Sequence, residues 1–314
     1  MQQLATVNEP AQALCTPEQA FLTDDSEAVL RFACDALNAG MAAVLVTLVG
    51  IHGGAARSLG AHMAVREDGR YCGFVSGGCV ESAVAHEALL VMNTGVDRTV
   101  RYGVGSPYFD IVLPCGGGIT LALHKLRDSQ PLIDTLSRLS ARKPAGLRYA
   151  SASQTLISET NPAKTDWDGT DFVVSYRPCV RVMVFGRSLE AQAAANLARA
   201  VGYDVQTSEG FNPKTSFALM DDDTAVIMLY HDLNRELPVL QAALAARPFY
   251  IGALGSKRTH EARVKTLTGL GVSAEDIARI KAPIGIFAKA RDAHSLALSV
   301  LADVAAARLA RCAR

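Results

Sequence analysis

The sequence predicts an α/β protein in two parts: an N-terminal α+β domain with glycine–cysteine loops, then a Rossmann-like, doubly wound parallel sheet. Three observations carry this. From about Cys179 onward, short apolar runs alternate with alanine- and leucine-rich helical stretches, the order that builds a parallel sheet. Before that point, strands and helices mix and cysteines recur inside glycine turns. The length, 314 residues, suits about two domains. The predicted division is 1–178 and 179–314.

Taken in order, Thr23-Asp24-Asp25-Ser26 is a helix-start signal, and a helix follows from Ser26 to Asn38, stopped by Gly40. Ala43 to Val49 is nearly continuously apolar and reads as a buried strand. It runs into Gly50-Ile51-His52-Gly53-Gly54-Ala55-Ala56-Arg57-Ser58, a loop of small residues in which Arg57 is placed to hold an anion. A solvated surface arginine fits the same pattern. Val65 to Phe74 reads as a hairpin turning at Glu67-Asp68-Gly69, and Val80 to Met92 as a helix.

Between these two lies Ser76-Gly77-Gly78-Cys79-Val80-Glu81, a cysteine at a helix mouth. Glycines let the chain turn sharply there. The first N–H groups of the helix are expected to point outward and unpaired, a place for an anion and for a thiol of lowered pKa. Glu81 works against that effect if it lies near the sulfur. A buried cysteine at a glycine turn fits the same residues.

Arg98 to Val104 is read as a strand, followed by a loop over 105–110 and the short apolar run Ile111-Val112-Leu113. Pro114-Cys115-Gly116-Gly117-Gly118 is a second cysteine in a second glycine turn, ahead of a strand over Ile119–Leu123. Two loop thiols can ligate a soft metal, but spacing does not say whether they face each other. A helix over 131–141 and strands at 146–150, 154–158 and 172–176 finish the first domain, with 161–169 as a loop.

In the second domain, Val180–Gly186 is a strand, Arg187–Ala200 a helix, and Gly202–Val205 and Thr224–Leu229 strands. Next come a helix over 234–246, a strand over 249–252, a helix opened by Gly255-Ser256-Lys257-Arg258, a turn-and-strand element at Pro283–Ile286, and a long helix over 292–310. The dinucleotide fingerprint is incomplete: Gly186, Ser188 and Ala191 stand where GxGxxG has glycine, and Glu209 is a loose match for the ribose-binding acid. Ser256, Lys257 and Arg258 join a helix N-terminus to two cations and form the better phosphate candidate. His231-Asp232 lies at a strand's C-terminal end, without implying a catalytic dyad.

Composition limits the function. Hydrophobic residues make up 49% and charged residues 20%, and 31 Lys+Arg balance 31 Asp+Glu, so neither nucleic acid binding nor a charged tail is indicated. The seven cysteines are odd in number and widely spaced, without a CxxC pair, which fits free thiols in a reducing compartment. No signal-peptide pattern and no membrane-length apolar run is read, so a soluble cytoplasmic protein is expected.

Together, Ser76–Glu81, Cys115-Gly116-Gly117, Arg181–Gly186, Tyr250–Arg258 and Ala282-Pro283-Ile284-Gly285 resemble the XdhC/CoxI family, accessory factors of xanthine dehydrogenase and related molybdenum hydroxylases. The resemblance covers most of the chain. It departs in the 50–58 loop, which lacks the Thr/Ser-Pro-Arg form of many members, and in the weaker 186–191 fingerprint. It implies a chaperone, not an enzyme, that binds molybdenum cofactor (molybdopterin or its cytosine dinucleotide form), protects it during sulfuration and inserts it into a xanthine dehydrogenase or aldehyde oxidoreductase.

Implied partners are the large subunit of the apo-hydroxylase and a cysteine desulfurase, and a homodimer is expected. Cys79 and Cys115 carry over as cofactor contacts and molybdenum ligands. Ser76, Gly77, Gly78, Gly116, Gly117, Arg57, Ser256, Lys257 and Arg258 complete the expected cofactor-binding set. Two alternatives stand beside this: an NAD(P)- or nucleotide-dependent oxidoreductase using the second domain, and a metal-storage protein using Cys72, Cys79 and Cys115.

Overall fold

The computed structural model describes residues 15–106, 113, 116–210, 212, 216–287 and 289–312. Two compact units divide between Arg177 and Pro178.

The first unit is built on a six-stranded sheet in the order β1-β4-β3-β2-β6-β5. Its strands are β1 (Glu18–Phe21), β2 (Ala43–His52), β3 (His62–Arg66), β4 (Arg70–Gly73), β5 (Arg98–Gly103) and β6 (Gly118–Lys125). The helices are α1 (Ser26–Asn38), α2 (Glu81–Thr94) and α3 (Gln130–Ser140). A four-stranded antiparallel sheet in the order β8-β7-β10-β9 completes the unit, from β7 (Ala145–Ala150), β8 (Thr155–Thr160), β9 (Asp166–Asp168) and β10 (Asp171–Tyr176).

β2 shows why its sequence is apolar without alternation. Val44, Val46 and Leu48 pack with α2, while Ala43, Leu45 and Val49 pack with α1, α3 and the inner face of the four-stranded sheet. Both faces of the strand are buried, so both must be apolar. Cys72 of β4 shares the second of these cores and is fully buried, and burial pushes its thiol up to about 12. It is therefore no partner for an exposed thiol site, contrary to the metal-storage alternative.

The second unit is a parallel sheet in the order β12-β11-β13-β14-β15, from β11 (Arg181–Phe185), β12 (Asp204–Ser208), β13 (Thr224–Met228), β14 (Tyr250–Ala253) and β15 (Ile280–Lys281). Its helices are α4 (Leu189–Ala200), α5 (Leu233–Ala246), α6 (Lys257–Gly269), α7 (Ala274–Ala278) and α8 (Ala293–Cys312). Val182 and Val184 face the core shared with α4 and α8, while Met183 and Phe185 face the one under α5 and α6. Coverage on both faces makes the sheet doubly wound.

Residues 283–286, expected as turn and strand, are irregular. Ile284 is buried in the α4–α8 core, and the strand is β15, just before it. Among the described residues, one helix, Ala293–Arg311, is long and apolar enough to cross a membrane by length and composition. Its Ala297, Val300, Leu301 and Val304 lie in the core of the unit.

Candidate functional site

Strand register gathers three loops at one end of the six-stranded sheet. Thr47 pairs with His62 and Met63 with Gly73, so the chain leaves β4 at the end where it leaves β2. His52 pairs with Gly118 and Gly103 with Gly118, which brings the end of β5 and the start of β6 to the same end. The loop after β2 lies against both glycine turns. A Cβ on Gly117 would collide with the Gly54 carbonyl, and one on Gly77 would stand 3.3 Å from Ala56 Cβ. The turn carrying Cys79 and the turn following Cys115 therefore flank one loop. Cys115 itself lies outside the described residues. Gly116 is exposed and Gly117 buried.

Cys79 is exposed. The turn around it runs through Gly77 at φ +96° and Gly78 at φ +108°, conformations that favour glycine. Its main-chain N–H groups from Val75 to Val80 find acceptors within the turn, and Val80 is the one of them at the mouth of α2. Glu81 Oε1 accepts from Val75 N (3.0 Å), Ser76 N (2.8 Å) and Gly77 N (3.2 Å). Glu81 Oε2 accepts from Gly78 N (2.9 Å), Val80 N (3.2 Å) and the Ser76 hydroxyl (2.8 Å). Ser76 Oγ in turn accepts from Cys79 N at 3.1 Å.

The N-cap residue of α2 is Val80, whose side chain has no acceptor, so the carboxylate one position on fills the cluster of donors. Burial alone would raise the Glu81 carboxyl; the hydrogen bonds from Ser76 and Val75 outweigh it and hold it below its ordinary value. Sequence reasoning saw Glu81 only as a nearby charge. The available signal was an acid at the first helical position with no capping side chain before it.

Arg57 is committed elsewhere. Its Nη1 stands 3.0 Å from Asp24 Oδ2 and its Nη2 bonds the Asp24 carbonyl at 3.4 Å.

In the second unit, a cleft of about 180 Å³ opens between the C-terminal ends of β11 and β12 and the start of α4, lined by Gly186, Arg187, Ser188, Gln192, Ser208 and Glu209 among others. The Ser188 hydroxyl caps α4 by accepting from Ala191 N at 3.4 Å, and Arg187 and Glu209, both exposed, pair across the rim at 3.9 Å. Ser256 likewise caps α6, accepting from Thr259 N at 3.2 Å, while Lys257 and Arg258 are exposed. Asp232 caps α5 through Asn234 N at 2.9 Å, which accounts for it without a dyad to His231.

Behind the β14–α6 turn, the buried Arg263 pairs with the buried Glu236 and donates to the Leu254 carbonyl at 2.9 Å. Sequence reading had no signal for this pair, since each residue is ordinary on a helix. Among the described residues, no group of three or more His, Cys, Asp or Glu side chains is arranged to hold a metal ion.

Comparison with known proteins agrees with this architecture. Residues 182–304 match the XdhC Rossmann domain, and residues 36–103 match the XdhC and CoxI family. The molybdenum cofactor insertion chaperone PaoD of Escherichia coli (strain K12) is 64% identical over 293 residues, covering 93% of this chain and 92% of that protein. A probable xanthine dehydrogenase subunit of Bacillus subtilis (strain 168) is 23% identical, over 83% of this chain and 92% of the relative. In fold, the chain matches a crystal structure described as a xanthine dehydrogenase from Bacillus halodurans with a TM-score of 0.69 at 20% identity, covering 90% of this chain and 96% of that one. With a family domain matched in each half and a near full-length relative at 64% identity, the chain belongs to the XdhC and CoxI family.

Proposed function

We propose that this protein is a chaperone that holds molybdenum cofactor as cargo and inserts it into a molybdenum hydroxylase of the xanthine dehydrogenase or aldehyde oxidoreductase kind. The observation that carries the reading is the 64% identity, along 92% of its length, to a molybdenum cofactor insertion chaperone. The loop end of the first unit supports it. An exposed thiol on a fixed turn is a suitable temporary ligand for a thiophilic metal that already bears sulfur.

In this reading Cys79 meets the molybdenum and Cys115 is the second thiol. Ser76, Gly77, Gly78, Gly116 and Gly117 shape the approach. Arg57 reaches an anionic group of the cargo only by exchanging its contact with Asp24. The chain turns over no substrate. A cysteine desulfurase supplies the sulfur, the apo-hydroxylase large subunit receives the cofactor, and the protein works as a cytoplasmic homodimer.

A second reading concerns the second unit alone: its cleft at the ends of β11 and β12 binds a nucleotide, with Glu209 facing ribose hydroxyls. The cytosine dinucleotide form of the cofactor would supply one. Ser256, Lys257 and Arg258 are a further phosphate contact. An NAD(P)-dependent oxidoreductase is the weaker version, because Arg187 and Ser188 carry side chains where a pyrophosphate approaches bare backbone.

The deciding measurement is pterin content after production in cells that make molybdenum cofactor, with wild type beside Cys79→Ala and Cys115→Ala. Substoichiometric pterin in wild type, falling at least about tenfold in Cys79→Ala, is expected. Wild type without pterin but with micromolar NAD(P) affinity would overturn the chaperone reading in favour of the enzyme.

A further inference from the structure

We propose that Glu81 is the positioning residue of the Cys79 turn: its carboxylate is an internal anion whose contacts hold the thiol outward and keep external anions off the main-chain N–H groups of the turn. The inference rests on the reading that Cys79 meets the cargo, and it concerns a residue that the cofactor need not touch.

Successive main-chain N–H groups in a glycine turn form a concavity attractive to phosphate. Here every main-chain N–H from Val75 to Val80 is taken by Glu81 or by Ser76, and the Ser76 hydroxyl donates back to Glu81. Glu81 is 3% exposed and Ser76 8%, whereas Gly77, Gly78 and Cys79 are exposed. The buried members therefore form the clamp, and the exposed members form what it presents.

Two further details fit a clamp. A Cβ placed on Gly78 would have no atom within 4 Å, so packing from outside does not hold that residue in place. The acceptor is also matched to its surroundings: six hydrogens point at two oxygens that carry only lone pairs. Glutamine would turn an NH2 group into the same ring of donors. Alanine would leave the ring without an acceptor, and aspartate is one methylene short.

The test uses the full chain and the variants Glu81→Gln, Glu81→Ala and Cys79→Ala, produced in cells that make molybdenum cofactor. Pterin content is measured, together with hydrogen exchange at the Ser76, Gly77 and Gly78 amides. Trp167 fluorescence in urea checks that the first unit is folded. Glu81→Gln is expected to lose pterin at least about fivefold and to expose the three amides. Acetate, an external carboxylate for the emptied ring, is expected to restore amide protection in Glu81→Ala by at least about threefold, a rescue that a general packing defect would not show. Cys79→Ala is expected to lose pterin but keep the amides protected.

A folded Glu81→Gln chain with wild-type pterin overturns the proposal while leaving the chaperone reading intact. Cys79→Ala with wild-type pterin removes the assignment of Cys79 and leaves the clamp to be judged by exchange alone. If the Glu81 variants do not fold, wild type decides: amides at Ser76–Gly78 exchanging like an open loop overturn the clamp.

Discussion

His62 gives the sharpest stability prediction. It sits on β3, 4% exposed, between the two sheets of the first unit. Its Nε2 bonds the Tyr176 hydroxyl of β10, and its Nδ1 stands 3.1 Å from Thr47 Oγ1 and 3.4 Å from the Val46 carbonyl. A carbonyl can only accept, so Nδ1 is assigned the proton and Nε2 accepts from tyrosine. Burial pushes the imidazole down to about 4 from 6.5, against a smaller opposing pull from the Val46 carbonyl.

The folded state therefore holds a neutral ring where the unfolded chain takes up a proton. The associated stability is full above about pH 6.5 and is lost as pH falls toward about 4. The whole interval is worth about 3 kcal/mol, and the part between about pH 7 and pH 5 is worth about 2 kcal/mol. Urea unfolding followed by Trp167 measures this. The indole is packed edge-on against Phe172, with centroids 5.2 Å apart, and bonded to the Val49 carbonyl, so it reports the first unit. His62→Gln keeps a donor and an acceptor at the site but does not titrate. Wild type should lose about 2 kcal/mol more than His62→Gln over that interval, about 1 M in urea midpoint. Parallel pH dependences for the two chains would refute the reasoning.

Two other predictions concern the supports of the loops. Arg263→Met should cost the second unit about 3–5 kcal/mol, because it leaves the buried Glu236 without its partner, and Glu236→Leu in the same chain should recover most of that; far-UV circular dichroism during denaturation reads it. Gly117→Ala should cost more than about 3 kcal/mol, since the added Cβ collides with the Gly54 carbonyl and comes 2.8 Å from the His52 carbonyl, both fixed main chain. Gly116→Ala meets nothing within 4 Å and carries only the left-handed backbone cost of about 1–2 kcal/mol, so matching losses from crowding at both positions would contradict the loop contacts.

Much of the fold was legible because burial writes a plain pattern. β2 and β11 are apolar on both faces, and the helix-start signals around Asp25 and Ser256 each begin a helix. The elements that escaped are short and carry little apolar pattern. β1, Glu-Gln-Ala-Phe, is exposed throughout and joins the sheet by parallel pairing with β4. β9 lies inside a segment read as a loop, and β15 is two residues long. Ile284 was read as strand because it is apolar, yet it is buried from an irregular segment.

The site was legible as two cysteines in two glycine turns, but not as an arrangement. Which acceptor fills a helix N-terminus depends on loop geometry that spacing does not encode. The same motif that promised open amides at Gly77 and Gly78 carries its own carboxylate two residues after the cysteine.

That difference bears on how such a protein releases its cargo. A phosphate held by several main-chain N–H groups at a helix N-terminus gains strong, charge-assisted hydrogen bonds. At the Cys79 turn the main-chain N–H groups from Val75 to Val80 are instead taken by Glu81 and Ser76, while at α4, α5 and α6 a capping side chain takes one N–H each: Ser188 that of Ala191, Asp232 that of Asn234 and Ser256 that of Thr259. What remains on offer at the Cys79 end is a thiol on a fixed turn and a floor of small residues. A sulfur–metal contact can be exchanged for another ligand at the receiving enzyme, and a floor of glycine adds shape with few competing bonds. If Cys79 meets the cargo as proposed, filling the amides of its turn from within lowers the affinity that would oppose hand-over while keeping the thiol in a defined place, which is what an insertion chaperone requires of its loops.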